Sequence, residues 1–181
     1  MDLGTKVCTT KSPDCFACPI KGHCLACLRY DPVNFPVKQM KKKIPSLDIG
    51  IGLIFNKNGS LLIDKRSETS SMGGLWEFPG GKREGNESIQ KTIAREIKEE
   101  LSIGVTVGEN LISFEHSYSH KKLHFYVYLC EWTSGIPKPL VSEKILWVEP
   151  TRLIDFPFPA ANTKIISALY EYLGIGNKND Q

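Results

Sequence analysis

Glu96, Glu99 and Glu100 stand at i, i+3 and i+4 in the segment AREIKEEL. On a helix that spacing puts all three carboxylates on one face. Three like charges so close destabilise an isolated helix, and Arg95 and Lys98 offset only part of the repulsion. A hard divalent cation offsets far more, because Mg²⁺ takes oxygen ligands and keeps part of its water. One loop upstream, Gly80 and Gly81 can bring backbone carbonyls to the same ion where a Cβ would obstruct. A charge run alone more often faces solvent, so the spacing of the whole segment has to decide.

A second set of reactive groups lies at the other end of the chain. Five of the six cysteines fall between positions 8 and 27, and Cys8, Cys15, Cys18 and Cys24 are spaced C-x6-C-x2-C-x5-C. Nothing in Met-Asp-Leu-Gly-Thr-Lys resembles a signal-peptide core, so a secreted disulfide framework is not indicated and a metal is. Four closely spaced thiolates can hold a [4Fe–4S] cluster or a structural Zn²⁺, and their chemistry alone does not choose. Cys27 is left as a spare thiol, and Cys130, in an apolar stretch, as a buried one.

The elements that must position these groups follow from pattern. At 181 residues, 41% hydrophobic and 24% charged, the chain suits one domain with a small appendage. No run of 18 apolar residues exists, so no membrane span is expected and the chain is placed in the cytoplasm. Residues 1–28 are cysteine-rich with little periodicity. Residues 29–47 read as a basic linker punctuated by Pro32, Pro36 and Pro45, and a folded domain is expected over 48–175. Residues 1–47 carry eight Lys/Arg against three Asp, which suits a phosphate contact and a solvated linker equally well. Strands are expected at Leu47–Phe55, Ser60–Lys65 (across an Asn58-Gly59 turn), Leu75–Phe78, Val105–Glu115, Lys122–Trp132 and Ile145–Val148. Pro79-Gly80-Gly81 is expected to break the chain. A helix is expected from Glu87 to Leu101, with an apolar stripe at Ile89, Ile93, Ile97 and Leu101. A closing helix is expected from Ala160 to Leu173, ended by Gly174.

The full segment GKREGNESIQKTIAREIKEELSI is more specific than its glutamates. Gly81 is followed by five residues and Glu87, then by seven residues and Arg95-Glu96-Ile97. Glu99-Glu100 follow after one residue, then Leu101, Ser102 and Ile103. This resembles the Nudix box of the Nudix hydrolase family at every defining position but one, where Ser102 replaces a helix-ending Gly. The resemblance implies a mixed α/β fold, the Nudix α/β/α sandwich, and hydrolysis of a nucleoside diphosphate derivative. It implies that Glu96, Glu99 and Glu100 bind Mg²⁺ or Mn²⁺ with help from the Gly80 carbonyl. Arg95 would orient a glutamate, Glu87 would brace the loop, and Glu143 is the candidate for an additional metal carboxylate. Bound metal lowers the pKa of a water and neutralises the diphosphate, and a carboxylate can take the proton.

The run GGLWEFPGGK resembles the stretch before the box in MutT-type 8-oxo-dGTP diphosphatases. That likeness assigns Arg66, Phe78 and Asn162 to the oxidised base and implies a nucleoside triphosphate substrate, cleaved to 8-oxo-dGMP and pyrophosphate. The chemistry agrees: Phe78 can wall a purine, and Asn162 offers donor and acceptor to its edge.

The cysteine spacing, within MDLGTKVCT…CPIKGHC, resembles the [4Fe–4S] loop of MutY-type adenine DNA glycosylases, which continue through a linker into a Nudix-like domain. Tyr118-Ser119-His120 falls at the turn with which that family reads 8-oxoguanine. This likeness implies as partners duplex DNA containing 8-oxoguanine and a separate glycosylase subunit. The family's helical catalytic domain has no counterpart in residues 1–181, so the chain is not expected to excise adenine by itself. Two readings result: a hydrolase of a free oxidised nucleotide, and a module that binds the same base in DNA.

Overall fold

The computed structural model describes residues 3–35, 45–70, 72–118 and 121–176. The chain divides into two units, Met1–Lys43 and Ile44–Gln181. In the first, α1 (Leu3–Lys6) and α2 (Leu25–Leu28) are single turns, with 3₁₀ turns at Lys21–His23 and Pro32–Asn34. None of its described residues is buried, in keeping with a segment that lacks apolar periodicity. Of the linker expected over 29–47, residues 36–44 lie outside the described residues. The Pro32–Asn34 turn belongs to the first unit and a strand already starts at Ser46.

The second unit is a seven-stranded sheet. Its strands are β1 (Ser46–Phe55), β2 (Leu61–Lys65), β3 (Trp76–Glu77), β4 (Gly80–Lys82), β5 (Gly104–Ser117), β6 (Lys122–Ser134) and β7 (Lys144–Val148). The order is β3-β2-β1-β6-β5, with β4 paired to β1 and β7 to β2. β1 runs parallel to β6 along its whole length, from Ser46↔Lys122 to Phe55↔Glu131. The Asn58-Gly59 turn forms as expected. Gly59 takes φ +77°, and Asn56 Oδ1 accepts from the N–H groups of Asn58 and Ser60.

The Pro79-Gly80-Gly81 break is corrected by the structure. Gly80–Lys82 forms a short strand antiparallel to β1, with Ile51↔Gly80, Gly50↔Gly81 and Ile49↔Lys82 in register. The residues that looked like a break are what allow the pairing. Gly80 has φ +146°, and a Cβ there would collide with the Gly50 carbonyl.

Helix α3 spans Ile89–Leu101 rather than starting at Glu87. Ser88 is its N-cap and accepts from Lys91 N–H at 3.3 Å, which leaves Glu87 outside the helix. Its stripe is buried: Ile93 and Ile97 are fully enclosed, Leu101 nearly so, and Ile89 lies at the edge. Each enclosed side chain contributes about 1.5–3 kcal/mol. Helix α4 (Asn162–Leu173) starts two residues later than expected and ends at Gly174 in the left-handed region. A 3₁₀ turn at Pro150–Asp155, not expected from the pattern, buries Leu153.

Alternation along the strands sends side chains to two cores. Ile54, Leu62 and Cys130 meet α3, while Leu53, Ile63, Phe78 and Val127 meet Ile165 and Leu169 of α4. The result is the expected α/β/α sandwich. Among the described residues, no helix is long and apolar enough to cross a membrane.

Candidate active site

β4 lays Gly80–Lys82 along one side of α3. Gly81 faces the Glu96 carboxylate so closely that a Cβ would overlap it. Gly80 N–H donates to Glu100 Oε2 at 3.2 Å. The two glycines therefore form a shallow cradle for two of the three glutamates expected to hold metal.

Arg95 organises the rest. It donates to Glu87 Oε1 through Nη2 at 2.7 Å and to Glu87 Oε2 through Nε at 3.3 Å. Its Nη1 reaches Glu96 Oε1 at 3.0 Å and Glu99 Oε2 at 3.2 Å, and its Nη2 also reaches the Lys82 carbonyl at 3.2 Å. Glu87 accepts as well from Glu84 N–H and from Thr92 Oγ1. The Arg95 hydrogen bonds, then the Glu84 N–H, hold the Glu87 carboxyl at about 2. Glu87 is thus a fixed anion behind Arg95, and one guanidinium sets the direction of two glutamates.

Glu100 is pushed the other way. Burial raises its carboxyl to about 7 against the Gly80 N–H, with the Glu96 and Glu77 carboxylates adding to the rise. A divalent cation would offset this crowding of negative charge, so the donor set suits Mg²⁺ or Mn²⁺. Among the described residues, no three carboxylate, thiol or imidazole groups stand close enough to share one ion in the present side-chain positions.

Two carboxylates of this region were not anticipated. Asp64 on β2 and Glu77 on β3 are direct cross-strand partners. Asp64 is only 6% exposed and its Oδ1 has no hydrogen-bond partner. With Glu77, Glu100, Arg66 and Ser142 it lines a small cavity of about 130 Å³. The signal available in the sequence was the two-residue period of LLIDK. It sets Asp64 on the same face as Leu62, the face that α3 covers. Glu143, the candidate for an additional metal carboxylate, accepts from Lys65 Nζ at 3.1 and 3.3 Å.

The residues assigned to the base come together. Arg66, Phe78 and Asn162 line one cleft of about 340 Å³, which Gly80 bounds on the carboxylate side. Arg66 is not aimed at open space: its Nη1 grips Glu77 at 2.6 and 2.8 Å. Phe78 is buried and stacks on Phe158, with ring centroids 5.1 Å apart. Asn162 is buried in the first turn of α4. It is not the N-cap, a position held by Ala161. Tyr118 and Lys121 line the same cleft, the lysine 5.7 Å from the ring centroid. Ser119 and His120 lie outside the described residues.

In the first unit, Cys8, Cys15, Cys18, Cys24 and Cys27 all line one largely apolar cavity of about 330 Å³. Cys8 is exposed, the other four are half-buried, and all are free thiols.

Comparison with known proteins is consistent with this geometry. A family model described as NUDIX domain matches residues 50–168. The 8-oxo-dGTP diphosphatase of Haemophilus influenzae is 32% identical over 130 residues, covering 72% of this chain and 94% of that protein. The CTP pyrophosphohydrolase of Escherichia coli is 30% identical over 118 residues, covering 65% and 87%. An adenine DNA glycosylase of Buchnera aphidicola is 31% identical over 124 residues, which is 68% of this chain and 33% of that protein. The solution structure of the Escherichia coli ORF135 protein is similar with a TM-score of 0.63 at 27% identity, covering 76% of this chain and 96% of that one.

Proposed function

The chain belongs to the Nudix hydrolase family, and on that premise we propose that it hydrolyses an oxidised purine nucleoside triphosphate, 8-oxo-dGTP, to 8-oxo-dGMP and pyrophosphate. The observation that carries this reading is the cleft. Arg66, Phe78 and Asn162 share it, and it ends at Gly80, beside the glutamates. A purine on the Phe78 side would put its phosphates toward the carboxylate face. Asn162, buried and lining the cleft, offers a donor and an acceptor to the base edge. The Arg66–Glu77 pair beside it adds a charged edge with a fixed direction.

Glu96, Glu99 and Glu100, with the Gly80 carbonyl, would hold Mg²⁺ or Mn²⁺. When bound, that ion lowers the pKa of a water and neutralises the diphosphate. Arg95 keeps Glu96 and Glu99 pointed at a common place, and Glu87 keeps Arg95 there. A carboxylate of the set takes the proton of the attacking water.

For the first unit we infer that Cys8, Cys15, Cys18 and Cys24 hold a [4Fe–4S] cluster. Supporting this, the four thiols line one cavity of the first unit.

A second reading has one observation in its favour. Tyr118 lines the base cleft, so the same pocket suits an 8-oxoguanine presented by duplex DNA. The experiment that separates the two is pyrophosphate release with Mg²⁺ from 8-oxo-dGTP, dGTP and CTP, for the native chain and for Glu99→Gln. Turnover that favours the oxidised nucleotide and disappears in Glu99→Gln supports the hydrolase. No turnover of any of the three by a folded chain overturns it. Duplex binding that depends on the lesion and ignores Glu99→Gln would then be the expected behaviour.

A further inference from the structure

The small cavity lined by Asp64 of β2, Glu77 of β3 and Glu100 of α3 contains two polar atoms that the fold leaves unmet. Asp64 is 6% exposed, and its Oδ1 has no hydrogen-bond partner among the described residues. Ser142, on the loop before β7, lines the same cavity, and its buried Oγ is also without a partner there. The other hydroxyls of the cavity are accounted for. Ser70 Oγ donates to the Ser67 carbonyl at 2.7 Å, and Ser67 Oγ lies 3.0 Å from Thr69 Oγ1. Buried polar atoms are nearly always paired, so two orphans in one polar cavity point to a ligand that meets both.

The charges decide its class. Arg66, the one cation among the described residues lining the cavity, donates through Nη1 to both oxygens of Glu77 at 2.8 and 2.6 Å. That pair is close to neutral. Glu100 is met on Oε2 by the Gly80 N–H, and Asp64 Oδ1 by nothing, so two carboxylates remain to be balanced. A water supplies hydrogen bonds but no charge. A divalent cation supplies the charge, and Mg²⁺ or Mn²⁺ needs only one or two carboxylates because it keeps several of its waters. We propose that Asp64, Glu100 and the Ser142 hydroxyl bind a second divalent cation, beside the ion expected on Glu96, Glu99 and the Gly80 carbonyl. Glu100 stands at both places, turned to Gly80 through Oε2 and lining the cavity with Asp64. Its carboxylate can bridge two ions, which in two-metal hydrolytic sites stand about 3.5–4 Å apart. Asp64 lies on β2, outside the Nudix segment, and the site asks nothing of the base cleft or of the choice of nucleotide.

The test counts Mn²⁺ on the full chain without nucleotide. Free Mn²⁺ is followed by its paramagnetic resonance signal as it is titrated into the metal-free protein. The native chain should bind one Mn²⁺ more than Asp64→Asn. Ser142→Val removes the hydroxyl and narrows the cavity while leaving every carboxylate in place, and it should lose the same ion. Glu99→Gln lies outside the cavity and should keep it. Melting curves read the ion independently, because a ligand that binds only the folded state raises the melting temperature. Mn²⁺ should stabilise Glu99→Gln, and adding Asp64→Asn to that variant should remove the effect. Equal Mn²⁺ counts and affinities in the native chain, Asp64→Asn and Ser142→Val overturn the proposal. An ion that disappears in Glu99→Gln alone likewise overturns it and leaves the Nudix glutamates as the metal site. An ion lost in Asp64→Asn and Ser142→Val but kept in Glu99→Gln supports it, even in a chain that turns over no nucleotide.

Discussion

Gly81 and Glu96 fit each other by shape: the Glu96 carboxylate occupies the space that a side chain at position 81 would fill. The neighbour that must yield to a Cβ is the end of a flexible side chain rather than backbone. Gly81→Ala should therefore leave the fold intact while pushing Glu96 off its place between β4 and Arg95. Loss of a group that orients a metal ligand typically costs 10–100-fold in affinity or activity, and about that fall in turnover is expected. Steady-state kinetics against Mg²⁺ concentration, beside a thermal melt, checks both halves. Unchanged turnover would mean that Glu96 does not act from this position.

Ser102 ends α3 with φ 59° and ψ 24°, in the left-handed region, and its N–H bonds to the Lys98 carbonyl. The chain thus keeps the glycine-type helix end that the Nudix box calls for, without the glycine. A non-glycine residue held there costs on the order of 1 kcal/mol. Ser102→Gly should raise unfolding stability by about 0.5–1 kcal/mol, allowing for the extra freedom glycine has in the unfolded chain. Urea denaturation should show a higher midpoint with an unchanged slope. A lower midpoint would show that the serine hydroxyl contributes more than the backbone strain removes.

Asp64 carries a pH signature. Burial, and then the neighbouring Glu77 and Glu100 carboxylates, push its carboxyl up to about 8, against about 3.9 in an unfolded chain. Between those values the folded state holds a proton that the unfolded state has released, so stability falls as pH rises through this window. Asp64→Asn removes the titrating group. Its melting temperature should exceed that of the native chain at pH 8, and the gap should close near pH 5. Melts of both proteins across pH 5–8 in a metal-free buffer test this. A gap that widens toward low pH would show that Asp64 is ionised and paired in the fold.

Much of the site was legible in the sequence because it is local. The glutamates lie within five residues of one another, and the apolar stripe of Ile93, Ile97 and Leu101 fixes which way they face. Arg66, Phe78 and Asn162 were legible only as a resemblance, since 96 residues separate the first from the last and the sheet and α4 must bring them together. What stayed hidden depends on pairing. β4 exists because β1 accepts it, and Pro-Gly-Gly read alone signals a break. Asp64 opposes Glu77 only through the register of two short strands. The Lys65–Glu143 pair likewise forms only because β7, which follows Glu143, lies beside β2.

Asn162 tests base selection separately from chemistry. It is buried and lines the cleft. A site built to hydrogen-bond a substrate edge loses discrimination when that partner is removed, and one such bond is worth about 0.5–1.5 kcal/mol. Asn162→Ala should narrow the preference for 8-oxo-dGTP over dGTP about tenfold, through KM more than kcat. The ratio of kcat/KM for the two nucleotides measures this. An equal loss for both would make Asn162 a packing residue at the start of α4.

Cys130 should behave unlike every other cysteine. It lies in the core between the sheet and α3, and burial pushes its thiol up to about 12. The thiolate is the reactive form, so at pH 8 the folded chain presents almost none of it there. A disulfide reagent such as DTNB should titrate the five N-terminal thiols of the reduced, metal-free chain readily. The sixth should react only in denaturant, or slowly at a rate that follows opening of the core. Its rate in Ser102→Gly should fall in step with the gain in stability, because the same unfolding exposes it. A Cys130 that reacts together with the N-terminal five would mean that the contact between α3 and the sheet opens far more easily than its buried isoleucines imply.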